Sequence, residues 1–252
     1  MNKKNSKLLT VAAPVVTVVL VLIAWEVITK AAGIPEKLLP APSDIFESLV
    51  ENFSTVILKD LTISVKNIAK GYLIAVPLGF VIAAVCSQSR IITRAVTPVL
   101  IILMVTPMTT LVPVFKLFWG ANSFLKIVVI VLQMAPVIAL NSLTGFANPP
   151  GRNVDVLKAM GCGRWRIFFK VAVPNAMPQV FTGLKLGCIL GTIASMVADM
   201  SVGQGGLGYR ITIYAAFAAT ASAFATILVA SVVGVALFLA VSRVERLVTT
   251  WK

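Results

Sequence analysis

Long apolar segments limit what this chain can fold into more than any other feature of its sequence. A helix that crosses a bilayer needs about 20 mostly apolar residues, and the segments that approach this criterion are 8–28, 66–86, 96–114, 124–146, 178–199 and 221–242. Of the 252 residues, 58% are hydrophobic and only 12% are charged, and the mean hydropathy is +0.97. A soluble domain needs more charge than this for its surface. The sequence therefore predicts an all-α membrane protein with about six transmembrane helices.

The third segment differs from the others because Pro98, Pro107 and Pro113 interrupt it. Proline frees a backbone carbonyl, which is tolerated inside a membrane where a neighbouring helix or a water-filled path satisfies it. We therefore expect this segment to line a path through the membrane. The candidate path residues are Met104, Pro107, Met108 and Asp199.

The distribution of basic residues predicts how the spans are oriented. Lys and Arg are enriched in short cytoplasmic loops, and the bases expected there are Lys3, Lys4, Lys7, Arg90, Arg94, Arg152, Lys158, Arg164, Arg166, Lys170, Arg243, Arg246 and Lys252. The apolar run after the N-terminal lysines is too long for a signal peptide, and no small-x-small cleavage site precedes Glu26, so we interpret it as an uncleaved first span. Both termini are expected in the cytoplasm.

The segment 29–60 is expected on the outer side, where acidic and basic residues mix. It contains LPAPSDIFESLVENF, in which Pro40 and Pro42 break the chain and Ser43 can cap a helix. The apolar positions of that helix are Ile45, Phe46, Leu49, Val50 and Phe53. Because the segment is too polar to span a bilayer, we expect an amphipathic helix at the membrane interface.

Composition disfavours several classes of function. The net charge of +13 would suit nucleic acid, but the bases are scattered between apolar runs and do not cluster with aromatic residues. The chain has no histidine, and Cys86, Cys162 and Cys188 form no C-x-x-C pair, so neither a metal site nor a histidine-activated nucleophile is expected. We expect no cofactor and no nucleic-acid partner, and we interpret the cysteines as packing residues.

The glycine-rich stretch GQGGLG at residues 203–208 fits the pattern G-x-G-x-x-G. That dinucleotide-binding fingerprint requires a preceding strand. Here an apolar span precedes it, and a flexible outer loop is expected instead. The chain also lacks the phosphate-binding pattern G-x-x-x-x-G-K-[ST], so if ATP drives this protein, a separate subunit binds it.

A short polar stretch, DVLKAMGCGRWRIFF at residues 155–169, separates the fourth and fifth apolar segments. Asn153 is the predicted N-cap of a first short helix, with Asp155 in its first turn and an apolar stripe at Val154, Leu157 and Met160. Gly161 and Gly163 are expected to form a positive-φ turn. A second helix, apolar at Trp165, Phe168, Phe169 and Ala172, is expected to end at Pro174.

Spacing alone leaves two interpretations of this stretch open. It is either a compact cytoplasmic knob of two helices at a glycine elbow, or an amphipathic loop on the membrane surface. In the second case Arg164, Arg166 and Lys170 would hold it near anionic headgroups.

The stretch DVLKAMGCGRWRIFFKVAVPNAMP resembles the EAA loop of the permeases of binding-protein-dependent ABC importers. Residues 155–157 stand at the E-A-A triplet, Gly161 at the characteristic glycine, and Val173 with Pro174 at the closing apolar-Pro pair. The triplet departs from the family pattern, since Asp155 replaces the glutamate and larger residues replace both alanines. The stretches LPAPSDIFESL, VPVFKLFWGAN and ADMSVGQGGLGYRI resemble the nitrate, sulfonate and taurine branch of these permeases, in the same order.

The resemblance implies one transmembrane domain over residues 1–252, with an EAA-like coupling loop at about 149–177. It implies that separate ABC ATPase subunits contact this loop, and the residues expected to couple are Asp155, Leu157, Met160, Gly161, Arg164, Trp165 and Pro174. It also implies an extracytoplasmic substrate-binding protein and a second permease copy, most simply a homodimer about a two-fold axis. The chain would then be a transport subunit, without enzymatic activity of its own, that works by ATP-driven alternating access.

Two other classes of function remain open. An ion- or proton-coupled carrier would work without an ATPase, and such carriers place ionisable groups at mid-membrane, whereas Glu26, Lys185 and Asp199 lie near span ends or lack an obvious partner. A membrane enzyme is disfavoured by the missing histidine and by the lack of clustered acids. The solute also stays open: the branch indicates small anions such as sulfonates, taurine or nitrate, while related permeases serve vitamin precursors and other aromatic heterocycles.

Overall fold

Helices account for almost all of the chain. The computed structural model describes residues 3–249 and contains no strand over that range. Its α-helices are α1 (Lys3–Ala31), α2 (Pro42–Asn52), α3 (Leu58–Cys86), α4 (Arg90–Val105), α5 (Met108–Trp119), α6 (Ser123–Ala147), α7 (Gly151–Ala159), α8 (Arg164–Ile167), α9 (Val173–Val202), α10 (Leu207–Ala216) and α11 (Thr220–Val248). A π-helical turn at Phe53–Ile57 joins α2 to α3, and another at Phe168–Ala172 joins α8 to α9. The all-α class is confirmed.

Four continuous helical stretches within residues 3–249 are long and apolar enough to cross a membrane, namely Pro42–Cys86, Ser123–Ala147, Arg164–Val202 and Thr220–Val248. They contain the predicted second, fourth, fifth and sixth spans. A fifth span follows if α4 and α5 are counted as one. The predicted first span, 8–28, lies within α1, which is not among these stretches. The count of six and the orientation of the termini therefore stay predictions, and Lys252 lies outside the described residues.

The predicted third span, 96–114, falls on two helices that a bend separates. Helices α4 and α5 meet at a bend of 92°, separated by Thr106 and Pro107. The α conformation is sterically disfavoured for a residue that precedes proline, and Thr106 accordingly adopts φ −63° and ψ 120°. The break falls there, whereas Pro98 and Pro113 are accommodated inside α4 and α5.

The chain divides into two compact units, of which the first comprises the residues up to Lys59 together with Arg210–Leu228. Within it, the Glu26 carboxylate accepts hydrogen bonds from the backbone N–H and the hydroxyl of Ser43, at 3.0 and 2.8 Å. Ser43 is therefore not the N-cap that the sequence suggested. Ala41 is the N-cap, and Pro42 occupies the first helical position, where the missing N–H costs nothing.

The second unit comprises Asp60–Tyr209 together with the residues from Val229. Helix α6 forms its core and is capped by Asn122, whose side chain accepts a hydrogen bond from the Leu125 N–H at 2.9 Å. Glycines allow neighbouring helices to approach α6 closely: a Cβ on Gly79 would lie 2.9 Å from the Ala135 carbonyl oxygen, and one on Gly183 2.9 Å from the Asn141 Cβ. Small residues at helix contacts are typical of membrane bundles, where close packing replaces the hydrophobic effect.

Candidate functional site

The segment between α6 and α9 begins with α7, which starts three residues earlier than the sequence suggested. Its N-cap is Pro150 rather than Asn153, and its first helical residue is Gly151. Asp155 therefore lies at the fifth helical position, and the first turn contains no acidic residue. The prediction that Asp155 lies in the first turn is therefore wrong, and because the effect of the helix dipole falls off within the first turn, Asp155 stabilises its own helix less than a first-turn acid would.

The elbow after α7 is a C-terminal cap built on one glycine. The Cys162 N–H donates to the Leu157 carbonyl and the Gly161 N–H to the Lys158 carbonyl, both at 2.9 Å. These two bonds define a Schellman motif, which needs a left-handed residue, and Gly161 supplies it with φ +72°. The prediction for Gly161 is confirmed, whereas that for Gly163 is wrong, since its φ of −67° is available to any residue.

The helix after the elbow does not end at Pro174. Residues Arg164–Val202 form one helical stretch of 39 residues, in which the π-helical turn at Phe168–Ala172 precedes α9. Pro174 is the second residue of α9 and directly follows the π-helical turn, where the α-helical hydrogen-bond pattern is already interrupted, so the missing N–H of the proline is tolerated. The elbow is therefore continuous with the predicted fifth span.

One aromatic ring anchors this segment while the others face outward. Phe168 is buried and packs edge to face against Phe146 of α6, with ring centroids 5.0 Å apart. The predicted apolar face is thus only partly buried, because Trp165 and Phe169 remain 54% and 60% exposed. Met160 of the first stripe is 73% exposed, while Val154 and Leu157 are half-buried.

The polar coupling candidates are also accessible. Asp155, Arg164 and Pro174 are exposed. Neither Asp155 nor Arg164 forms an ion pair with any residue in the described range 3–249. The structure therefore brings the expected coupling residues together on one exposed elbow, with a free carboxylate beside apolar side chains.

The candidate path residues occupy different environments. Met104 is half-buried near the end of α4, Pro107 is exposed at the bend, and Met108 is buried at the start of α5. Asp199 is completely buried in α9. The first three cluster at the break between α4 and α5, while the carboxylate of Asp199 is engaged inside the bundle.

A buried ion pair holds Asp199. Its Oδ1 lies 2.8 Å from Nζ of Lys126, and the exposed fractions of the two side chains are 0% and 1%. The Ser64 hydroxyl donates to Oδ2 of the same carboxylate. Such a pair is stable in a low-dielectric interior only when its remaining hydrogen-bonding groups are also satisfied.

The glycine-rich stretch at 203–208 supplies a further partner for Lys126 and also binds the carboxylate of Asp60. Lys126 Nζ donates to the Gly205 carbonyl at 2.7 Å, and the Gly206 N–H donates to Asp60 Oδ1 at 2.9 Å. A Cβ on Gly206 would overlap the Asp199 carboxylate. Residues 203–206 form a loop, as expected. The loop is hydrogen-bonded to buried side chains, and glycine is required at position 206 because the backbone passes directly over them.

Sequence reasoning missed Lys126, Ser64 and Asp60 as members of this cluster. One signal was available, since Lys126 is a charged residue within the apolar segment 124–146, and an intramembrane charge calls for a partner. Lys185 and Asp199 were recognised as charged candidates without an obvious partner, and the structure pairs Lys185 with Glu245 at 2.8 Å. Partners so distant in sequence carry no local pattern that would identify them.

Comparison with known proteins places the chain among transport permeases. It is 24% identical to the formylaminopyrimidine transport permease protein ThiX of Halalkalibacterium halodurans, over 95% of each protein. It is 23% identical to the taurine transport system permease protein TauC of Escherichia coli, over 93% of this chain and 88% of the relative. The fold is similar to that in the inward-facing MetNI methionine ABC transporter, with a TM-score of 0.55, 21% identity and coverage of 77% of this chain and 94% of the other.

The family described as binding-protein-dependent transport system inner membrane component matches residues 75–250. That range contains α4 to α11, and with them the elbow at Gly161 and the buried ion pair. Multi-pass insertion in the cell membrane follows from the family together with the apolar helices. Because the match covers well over half of the chain, the chain belongs to the family of inner-membrane permeases of binding-protein-dependent ABC importers.

Proposed function

We propose that this permease moves a small solute into the cytoplasm by alternating access, driven by separate ATPase subunits that dock on the elbow at residues 151–174. A second copy of the chain completes the path, and an extracytoplasmic binding protein delivers the solute. The observation that carries the proposal is the exposed combination of Asp155, Met160 and Trp165 on an ordered elbow.

The elbow has the character of a protein interface. Val156, Met160, Trp165 and Phe169 are each more than half exposed, although they lie in a segment that also carries several charges. Exposed apolar side chains ringed by polar residues indicate a surface that another protein covers. Phe168 fixes the position of this surface against α6, so a docked subunit would act on an ordered element.

The elbow is also connected to the membrane-embedded part of the chain without a hinge loop. The stretch Arg164–Val202 leads from the elbow to Asp199 as one helix. A displacement of the elbow would therefore be carried along α9 toward the fixed 203–208 stretch. This continuity supports a mechanism in which ATPase closure moves the spans.

For the solute we propose a small anion such as a sulfonate, taurine or nitrate. The resemblance of three separate stretches to that branch and the similarity to TauC support this class. The similarity to ThiX makes an aminopyrimidine the competing class. Calorimetric titration of the partner binding protein with taurine, nitrate and an aminopyrimidine distinguishes them, since that protein carries much of the selectivity in this architecture.

Reconstitution tests the transport mechanism. The permease is placed in liposomes with and without its ATPase and binding protein, and uptake of labelled solute is measured. We expect uptake only with both partners and ATP. Uptake driven by an ion gradient in liposomes that contain the permease alone would overturn the proposal.

One observation favours the ion-coupled alternative enough to test it. The buried pair of Lys126 and Asp199 is an intramembrane ionisable site of the kind that coupled carriers use. Lys126, however, also donates to the backbone of the 203–208 stretch, and Ser64 donates to Asp199, which favours a structural role. The same liposomes with an imposed proton gradient separate the two cases, because only a carrier would respond without ATP.

A further inference from the structure

A cavity of about 530 Å³ lies where α3 ends and α4 begins, beside the start of the long helical stretch that follows the elbow. Its polar lining consists of Ser87, Gln88, Ser89, Arg90 and Arg164, and its apolar wall includes the buried rings of Phe146 and Phe168. A volume of this size is typical of small-ligand sites.

The cavity carries an uncompensated positive charge. No Asp or Glu lines it, and the guanidinium groups of Arg90 and Arg164 form no ion pair or hydrogen bond with another residue of the described range. Arg90 is the first residue of α4, whose N-cap Ser89 makes no side-chain capping bond. The first N–H groups of that helix are therefore also available to an anion.

We propose that this cavity binds the phosphate headgroup of an anionic phospholipid. Arginine binds phosphate oxygens in a bidentate manner through charge-assisted hydrogen bonds, and two such side chains converge on one cavity. The phospholipid is favoured over a free phosphate because Ile91 lines the same cavity and is 80% exposed, which offers contact to the acyl region. Assignment to the cytoplasmic leaflet rests on the orientation in the proposed function.

Such a site would tie two elements to the membrane surface at once. Arg90 belongs to the start of α4, which leads to the bend at Pro107, and Arg164 belongs to the elbow. A headgroup held between them links the ATPase-facing segment to the candidate path. Lipid composition would then affect how firmly the elbow is positioned.

Native mass spectrometry of the detergent-purified permease tests this inference. The full chain is incubated with equimolar phosphatidylglycerol and phosphatidylcholine, and the retained lipid is measured. We expect the wild type to retain phosphatidylglycerol preferentially and R90Q/R164Q to lose about tenfold of that retention, because two charge-assisted contacts disappear. The matched control is R166Q/K170Q, which removes the same amount of charge from side chains near Arg164 that lie outside the cavity.

Three outcomes would overturn the inference. Equal loss of lipid in both double variants would show general attraction to a basic surface. Displacement of the lipid by inorganic phosphate at about 10 mM, a concentration that saturates a weak site, would show a site for a free anion. Equal retention of the two lipids by the wild type would also overturn the inference, whatever the variants show. The assay contains no ATPase, so its result does not depend on ATPase docking. A chain that retains the lipid but fails to bind its ATPase would contradict the proposed function and leave this inference intact.

Discussion

At the scale of single residues, the position of Asp155 separates a role at an interface from a role in its own helix. The side chain lies beyond the first turn of α7, is exposed, and has no ion-pair partner among residues 3–249. We expect Asp155→Asn to weaken ATPase association by about tenfold, because a charge-assisted bond to the partner is lost. Asp155→Glu should associate and transport nearly normally, since it keeps the charge. Co-purification of the ATPase with each variant measures the difference.

The stability of the isolated permease provides the control for Asp155. If the carboxylate serves only α7, Asp155→Asn would lower the melting temperature of the permease alone and leave coupled transport intact. If it meets the ATPase, the melting temperature stays the same and the coupling is lost. Full coupled transport by Asp155→Asn would show that the carboxylate has no role at the interface, and that docking depends only on the shape of the elbow.

Gly161 and Gly163 form a matched pair for testing the elbow. A Cβ at either position would meet no atom within 4 Å, so crowding is not a factor, but Gly161 has φ +72° and Gly163 has φ −67°. We expect Gly161→Val to strain the turn by about 1–2 kcal/mol and to reduce ATPase-coupled uptake. Gly163→Val should have little effect on uptake in the same assay. Identical uptake by the two variants would mean that the left-handed conformation is not needed.

At the scale of elements, the pair of Lys126 and Asp199 joins α6 to α9 and fixes the stretch that follows α9. Removing one partner leaves a buried uncompensated charge, so we expect Lys126→Met and Asp199→Asn each to destabilise the permease by about 3–5 kcal/mol. The double variant should lose less than the sum of the single losses, since neither charge is then left alone. Thermal unfolding in detergent measures all three variants. Additive losses would show that the two groups are not coupled.

Elements were predictable from the sequence where one periodicity or one length decides them. Spans such as 124–146 follow from about 20 apolar residues, and the turn at Gly161 follows from a glycine at the end of a short helix. Boundaries failed where a proline can either start or end a helix, as at Pro150 and Pro174. The polar cluster around Asp199 was not predicted for a different reason. Its members lie on α3, α6 and α9, and only packing brings them together.

At the scale of the whole molecule, the candidate path and the elbow belong to different helices. Met104 and Pro107 lie at the 92° bend of α4 and α5, whereas the elbow continues into α9. Within the second unit, helices α5, α6 and α9 all contact one another. Alternating access therefore requires that motion of the elbow changes the surroundings of the bend. This coupling has to be tested across the two elements together.

Site-directed labelling of Met104→Cys tests this coupling across the molecule. Cys162 is partly buried and is replaced by serine, so that only the buried Cys86 and Cys188 remain in the described range. With ATPase and binding protein present, we expect an impermeant thiol reagent added outside to label Met104→Cys severalfold faster in the ATP-bound state, since the path then opens outward. Leu38→Cys, at a position 74% exposed in the predicted outer segment, is the control and should label equally in both states. Labelling of Met104→Cys that does not depend on ATP would show that the bend does not line the moving path.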